Sequence, residues 1–171
     1  NSIYRNNITD SDTGIIVNYL SNFNNISGNN IINNNDGLHV VTSGNNIFGN
    51  NIKENKEYGM IMAYSNNVLK SNSMTNNLYN FEVLGWKLSD FVNDIDVSNT
   101  VDGKPIYYWV NERNKTIPFD AGYVGLVNCT DIIVQGLSLA NNGYGVFLAY
   151  TTDSSITKSN LINNYDGIRL F

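Results

Sequence analysis

A polar turn residue returns along this chain every 21 to 23 residues: Ser11, Asn34, Asn55, Asn77, Asn99, Asp120, Asn142 and Asn164. A period of that length confines the fold to an array of stacked units, because one such unit cannot bury an apolar face alone. Other columns keep step with the anchor. Eight residues before it stand Ile3, Ile26, Ile47, Leu69, Phe91, Glu112, Val134 and Ile156; three before it stand Ile8, Ile31, Ile52, Met74, Asp96, Ile117, Leu139 and Leu161. Soon after it come Gly14, Gly37, Gly59, Asn80, Gly103, Tyr123, Gly145 and Gly167, and then a β-type run such as Leu38-His39-Val40 or Met60-Ile61-Met62.

Strand residues alternate faces. Ile15, Leu38, Met60, Val146 and Ile168 therefore form one inward column, and Val17, Val40, Met62, Leu148 and Leu170 the next. Ile16, His39, Ile61, Phe147 and Arg169 fall between them and are expected to point outward. The chain holds 33 asparagines, close to one residue in five. Stacked at a corner they form an amide ladder, and Asn also tolerates the left-handed backbone of a tight turn. The pattern predicts an all-β fold, a right-handed parallel β-helix of about seven coils of ~22 residues, on the order of 35 Å long. A leucine-rich repeat shares the period, but leucine is scarce here and the asparagine tracts break any helical period. One β-helix segment over 1–171 is expected, irregular at about 84–120. The repeat text is already running at Asn1 and still running at Phe171, which predicts a piece of a longer protein.

The formal charge of −5, with ten scattered Lys and Arg, excludes a nucleic-acid footprint. Cys129 is the single cysteine, so no disulfide framework exists. No run of about 18 apolar residues marks a transmembrane segment. Sequons at Asn7, Asn25, Asn114 and Asn128 are glycosylation candidates and suit an extracellular protein.

The stretch TVDGKPIYYWVNERNKTIPFDAGYVGLVN, Thr100–Asn128, and its continuation to Asn142 resemble the NosD-like β-helix repeat proteins, also called carbohydrate-binding and sugar-hydrolase (CASH) domains. The repeats cover the whole chain; DGKPIYYW and DAGYVGLVNCTDIIV are the specific part. The resemblance implies a secreted or cell-surface β-helix of the kind abundant in methanogenic archaea. It leaves function open among polysaccharide-active enzymes, adhesive or structural surface proteins, and an accessory role in copper-enzyme maturation, because fold does not fix function.

Chemistry is expected where the repeat breaks. Pro105 and Pro118, the two prolines, flank Tyr107-Tyr108-Trp109, and Trp86 sits one coil earlier in Gly85-Trp86-Lys87. Proline donates no ladder hydrogen bond, so a loop is expected to leave the coil here. Trp86, Tyr107, Tyr108 and Trp109 would stack on sugar rings while Glu112 and Arg113 hydrogen-bond hydroxyls; the same loop could instead cover a face of the solenoid. The expectation is a non-catalytic module with a structural or carbohydrate-binding role, its partners being cell-surface glycans, neighbouring envelope proteins, or further copies by end-to-end or lateral association. The alternative is a lyase or glycoside hydrolase using Glu82, Glu112 and Asp120, since glycosidases need paired carboxylates. No cofactor is expected. Copper would need clustered His, Met or Cys, whereas Met60 and Met62 are inward and Cys129 is alone; Asp94, Asp96 and Asp102 are the carboxylates a calcium site could draw on. His39, the only histidine, stands between Ile16 and Ile61, with no carboxylate expected beside it.

Overall fold

The computed structural model describes residues 1–18 and 20–171. It is an all-β parallel solenoid of about eight turns, with one 3-10 turn at Leu88–Phe91. Each early coil has three short strands, as in Asn25–Ser27, Asn30–Ile32 and Asp36–Val41. Successive coils pair in parallel at one register, Ile3 with Ile26, Ile26 with Ile47 and Ile47 with Leu69. The inward columns Ile15–Leu38–Met60–Phe81 and Val17–Val40–Met62–Val83 are buried as the alternation requires.

The corners share one device. In the regular coils a residue in the left-handed region precedes the ladder residue: Arg5 before Asn6, Asn33 before Asn34, Glu54 before Asn55, Asn76 before Asn77. The turn aims the next side chain along the stack. There its amide oxygen accepts both the backbone N–H and the side-chain N–H of the asparagine one coil earlier, at 2.8 to 3.2 Å. Three ladders result, running Asn1–Asn24–Asn45–Asn67–Asn93, Asn6–Asn29–Asn50–Asn72–Asn99 and Ser11–Asn34–Asn55–Asn77–Asn80. These buried amides satisfy one another, which removes the cost of burying them.

The anchor column departs from its expected course after Asn77. Asn99 stands under Asn72, not under Asn77, whose place below is taken by Asn80. The chain between Gly85 and Val92 leaves the coil, and the added residues displace the register. Ile95 rather than Phe91 continues the column below Leu69, and Val101 rather than Asp96 that below Met74. Asp120 lies outside the ladders, and Glu112 outside the core: Ile117 takes the place expected of it, its N–H donating to Ile133 O.

A hairpin then reverses the chain. Thr100–Val101 pairs antiparallel with Lys104–Pro105 across Asp102-Gly103, both with positive φ, +47° and +77°. Such a two-residue turn demands left-handed backbone at both positions, which Asp-Gly supplies. The expected loop around Pro105 is instead the strand Lys104–Val110. It opens a second stack, pairing in parallel with Tyr123–Val127, which pairs with Tyr144–Ala149 and that with Asp166–Leu170.

The middle strands of this sheet are buried on both faces. Val124, Leu126, Val146 and Leu148 face the second stack's own core, with Ile132, Val134 and Leu139. Tyr123, Tyr144 and Phe147 join the core of the first stack, beside Phe81 and Phe91. Phe147, expected to point outward, is therefore buried: its ring lies 5.1 Å from Phe91 and is stacked 6.5 Å from Tyr108. The outer face of one solenoid sheet is the lid of the other stack.

Candidate functional site

Where the two stacks meet, the outward face of the Tyr79–Leu84 strand approaches the turn Asn141–Gly143. Asn80 N–H donates to Asn141 O and Gly143 N–H to Phe81 O. Gly143 permits this approach, since a Cβ there would lie 2.6 Å from Glu82 Cβ. Glu82 occupies the outward column Ile16–His39–Ile61–Glu82, as the alternation places it. The second stack covers it, leaving it 6% exposed.

Burial raises the Glu82 pKa, the largest influence on it; the neighbouring Tyr144 and Tyr58 hydroxyls pull it down, and the nearby Asp166 and Arg169 charges act in opposite directions. The same burial, with the Glu82 carboxylate, pushes the Tyr58 and Tyr144 hydroxyls above their usual range. Aromatic rings extend the cluster: Tyr58 lies 5.2 Å from Tyr79, and Tyr79 5.7 Å edge-on to Tyr165.

Beside this cluster opens a cleft of about 360 Å³, lined in part by Tyr64, Leu84, Trp86, Tyr144, Arg169 and Phe171. Trp86 stands at it 89% exposed. Its position is set locally: the buried Asp90 carboxylate accepts the N–H groups of Trp86 and Lys87 at 3.1 and 3.3 Å, and Phe91 anchors the turn in the core. Arg169 is held by Asp166 at 2.9 Å and lies over the rings of Tyr144 and Phe171. The cleft runs on across Val41 and Tyr64 into a shallower groove bordered by Ile16, Asn18, Asn22, Thr42 and Ser43. Flat rings flanked by hydroxyls, amides and one guanidinium can hold a molecule with alternating apolar and hydroxylated faces.

The sequence-derived candidates divide among several places. Three successive residues of a strand cannot share a face, so Tyr107-Tyr108-Trp109 does not make one platform. Tyr108 is buried between the stacks, its hydroxyl donating to Phe91 O at 2.6 Å, and it has no face free for a sugar. Tyr107 and Trp109 point the other way, half-buried on the second core, with rings perpendicular at 6.2 Å. Lys115 lies over Trp109 and pairs with Glu112 at 2.5 Å, and Arg113 is exposed beside them. Asp120 accepts the Tyr107 hydroxyl at 3.0 Å. Glu82, Glu112 and Asp120 thus have three separate sets of partners. Asn7, Asn114 and Asn128 are exposed, whereas Asn25 is half-buried with its Oδ1 enclosed.

His39, contrary to expectation, does have a carboxylate beside it: Asp36 Oδ2 lies 3.3 Å from Nε2, in a geometry that makes no hydrogen bond. Asp96 accepts from Ser98, and Asp102 from Asn76, Asn80 and Asn141. Among the described residues no three His, Cys, Asp or Glu side chains converge on one point, and no helix is long and apolar enough to cross a membrane. Cys129 is buried, and burial pushes its thiol up. Comparison with known protein families and with curated proteins finds no match for this chain.

Proposed function

We propose that the chain is a non-catalytic, extracellular carbohydrate-binding module that holds a glycan in the cleft between its two stacks. The observation carrying this reading is Trp86, a fully presented indole fixed by Asp90 at the mouth of a cleft walled by Tyr64, Tyr144 and Phe171. A large apolar side chain left in water on a rigid support marks a contact surface, and indole and phenol faces are suited to pyranose rings. The cleft's one cation, Arg169, is matched by Asp166, which favours a neutral glycan over a polyuronate. The resemblance to NosD-like and CASH-domain repeats supports the assignment to glycans. That resemblance and the exposed sequons support a cell-surface location, where envelope polysaccharides or neighbouring envelope proteins are the partners.

The catalytic alternative rests on Glu82, whose raised pKa is the property of a general acid. Against it, Glu82 is not among the residues that line the cleft, so a substrate there meets Trp86, Tyr64 and Arg169 first. A glycan-array screen of the chain, run beside Trp86→Ala and Trp109→Ala with product release followed in parallel, tests the proposal. Binding lost in Trp86→Ala and kept in Trp109→Ala is the expected result. Loss only in Trp109→Ala would move the site to the Glu112–Lys115 face. Cleavage abolished by Glu82→Gln would replace the module with an enzyme, and no binding to any glycan would leave a structural role.

A further inference from the structure

The cleft that holds Trp86 does not end at Tyr64. Its hollow of about 360 Å³ and the neighbouring groove of about 640 Å³ share Val41 and Tyr64, so one depression runs along the outside of successive coils. The register fixes its course. Val41 pairs with Ala63 and Ala63 with Leu84, so the residues that leave the long sheet, Thr42, Tyr64 and Gly85, follow one another along the stack. All three belong to inner coils.

The floor of this depression is tied to an asparagine ladder. Asn45 Nδ2 donates to Thr42 O and Oγ1 at 3.3 and 3.0 Å, Asn67 Nδ2 to Thr42 O and Tyr64 O at 3.1 and 3.2 Å, and Asn93 Nδ2 to Asp90 O at 3.4 Å. Asp90 in turn fixes Trp86. At the far end Asn22 Oδ1 accepts Ser43 N–H at 3.1 Å, which fixes the Asn22 amide at the groove border. The buried ladder therefore holds the contact groups at the spacing of the coils, about 4.8 Å. That spacing is close to the advance per unit of an extended pyranose chain. The combined hollow is longer than one sugar unit fills, and Arg169, matched by Asp166, is the one charged side chain that lines it.

We propose that this depression takes a linear, neutral, β-1,4-linked glycan laid along the stacking axis, one pyranose unit per coil. The inference rests on the reading of the cleft as a glycan site and adds the linkage and the direction. A β-1,4 linkage turns each unit over relative to the last and gives a straight, flat ribbon with apolar ring faces and hydroxylated edges. An α-1,4-linked chain winds into a helix and leaves a straight row of contacts after one or two units. Trp86 and Tyr64 receive the ring faces of successive units, and Thr42, Ser43 and Asn22 meet the hydroxyls of the next. Because the ladder fixes the row before binding, little ordering of the protein opposes the contact.

Isothermal titration calorimetry tests this, with circular dichroism confirming that each variant folds. The probes are β-1,4-linked oligomers of glucose, mannose and N-acetylglucosamine, two to six units long, and α-1,4-linked glucose oligomers of the same lengths. In at least one β-1,4 series affinity should rise about three- to ten-fold per added unit and level off near four units. The α-1,4 hexamer should bind about ten-fold or more weakly than that β-1,4 hexamer. Trp86→Ala should abolish binding at every length, whereas Asn22→Ala should flatten only the step beyond two units. Equal affinity for two and six units, or for the two linkages, overturns the inference and leaves the cleft a glycan site. Binding through Trp86 of glycans of other linkage alone does the same. No binding of any glycan removes both this inference and the reading beneath it.

Discussion

The two stacks of this molecule are built on the same coil and held together by different means. The first is tied at three corners by buried asparagine amides, and its long sheet leaves the outward Ile16, His39 and Ile61 at least partly in water. The second has Thr151, Ser154 and Ser159 at three of its corners, whose hydroxyls accept one backbone N–H each. Its long sheet is instead buried on both faces. An amide accepts two N–H groups and donates two of its own; a hydroxyl offers one donor and fewer contacts along the axis. Coil repetition thus tolerates a weak ladder where apolar burial on a second face makes up the difference.

The sharpest way to break that compensation is to empty the shared face. Phe147 is fully buried between Phe91, Tyr108 and Phe171. Phe147→Ala should cost about 4 kcal/mol, and chemical denaturation should then show the second stack losing structure before the first. A single unchanged cooperative transition would mean that the stacks do not depend on this contact.

The ladders give the next largest effect. The Asn72 side chain accepts Asn50 N–H and Nδ2 and donates to Ile47 O and Asn99 Oδ1. Asn72→Ala leaves several buried groups unpaired and should cost about 3 kcal/mol. Ser159→Ala, at an equivalent corner of the second stack, loses bonds only to Leu137 N and Thr157 O and should cost about 1 kcal/mol. Equal losses in urea melts would refute the difference drawn between the stacks.

How much of this was legible in the sequence follows from the same physics. The inward columns and the amide ladder were, because burial imposes a period of two along each strand and the stack imposes one near 22. The register after Asn77 was not: an excursion of the chain shifts the partners, and the 22-residue step to Asn99 still looks regular on paper. The hairpin carried its signal in Asp102-Gly103, hidden because a glycine is due at that point of every coil. The double burial carried one too, since Tyr123–Val127 and Tyr144–Ala149 are near-continuous apolar runs of the kind found in sheets covered on both sides. Of the cleft, Trp86 could be picked out by type. Tyr64, Tyr144 and the pair Arg169 and Phe171 come from three coils, and only the folding of one stack against the other brings them together.

The pH dependence of the junction gives a smaller effect. Glu82 has a folded pKa raised above its ordinary value of 4.5, chiefly by burial. The fold therefore binds this proton more tightly than the unfolded chain does. The stabilisation is complete below the ordinary value and is lost as the pH climbs through the raised one. Glu82→Gln should match the wild type near pH 4 and melt about 3 °C higher at pH 8. A variant that gained stability toward low pH instead would reverse the sign.

The smallest effect should be of the opposite sign to the core losses. Tyr123 is fully buried between the stacks, its ring 5.1 Å from Phe81, and its hydroxyl has no hydrogen-bond partner. Burial drives its pKa well above the usual phenol value, as expected where no donor or solvent supports the phenolate. A hydroxyl taken from water without a partner carries its desolvation cost into the folded state. Tyr123→Phe keeps the ring and its packing while removing the unpaired group, so it should be neutral or stabilise by about 1 kcal/mol. A loss of stability would show that the hydroxyl finds a partner after all, in a water held between the stacks.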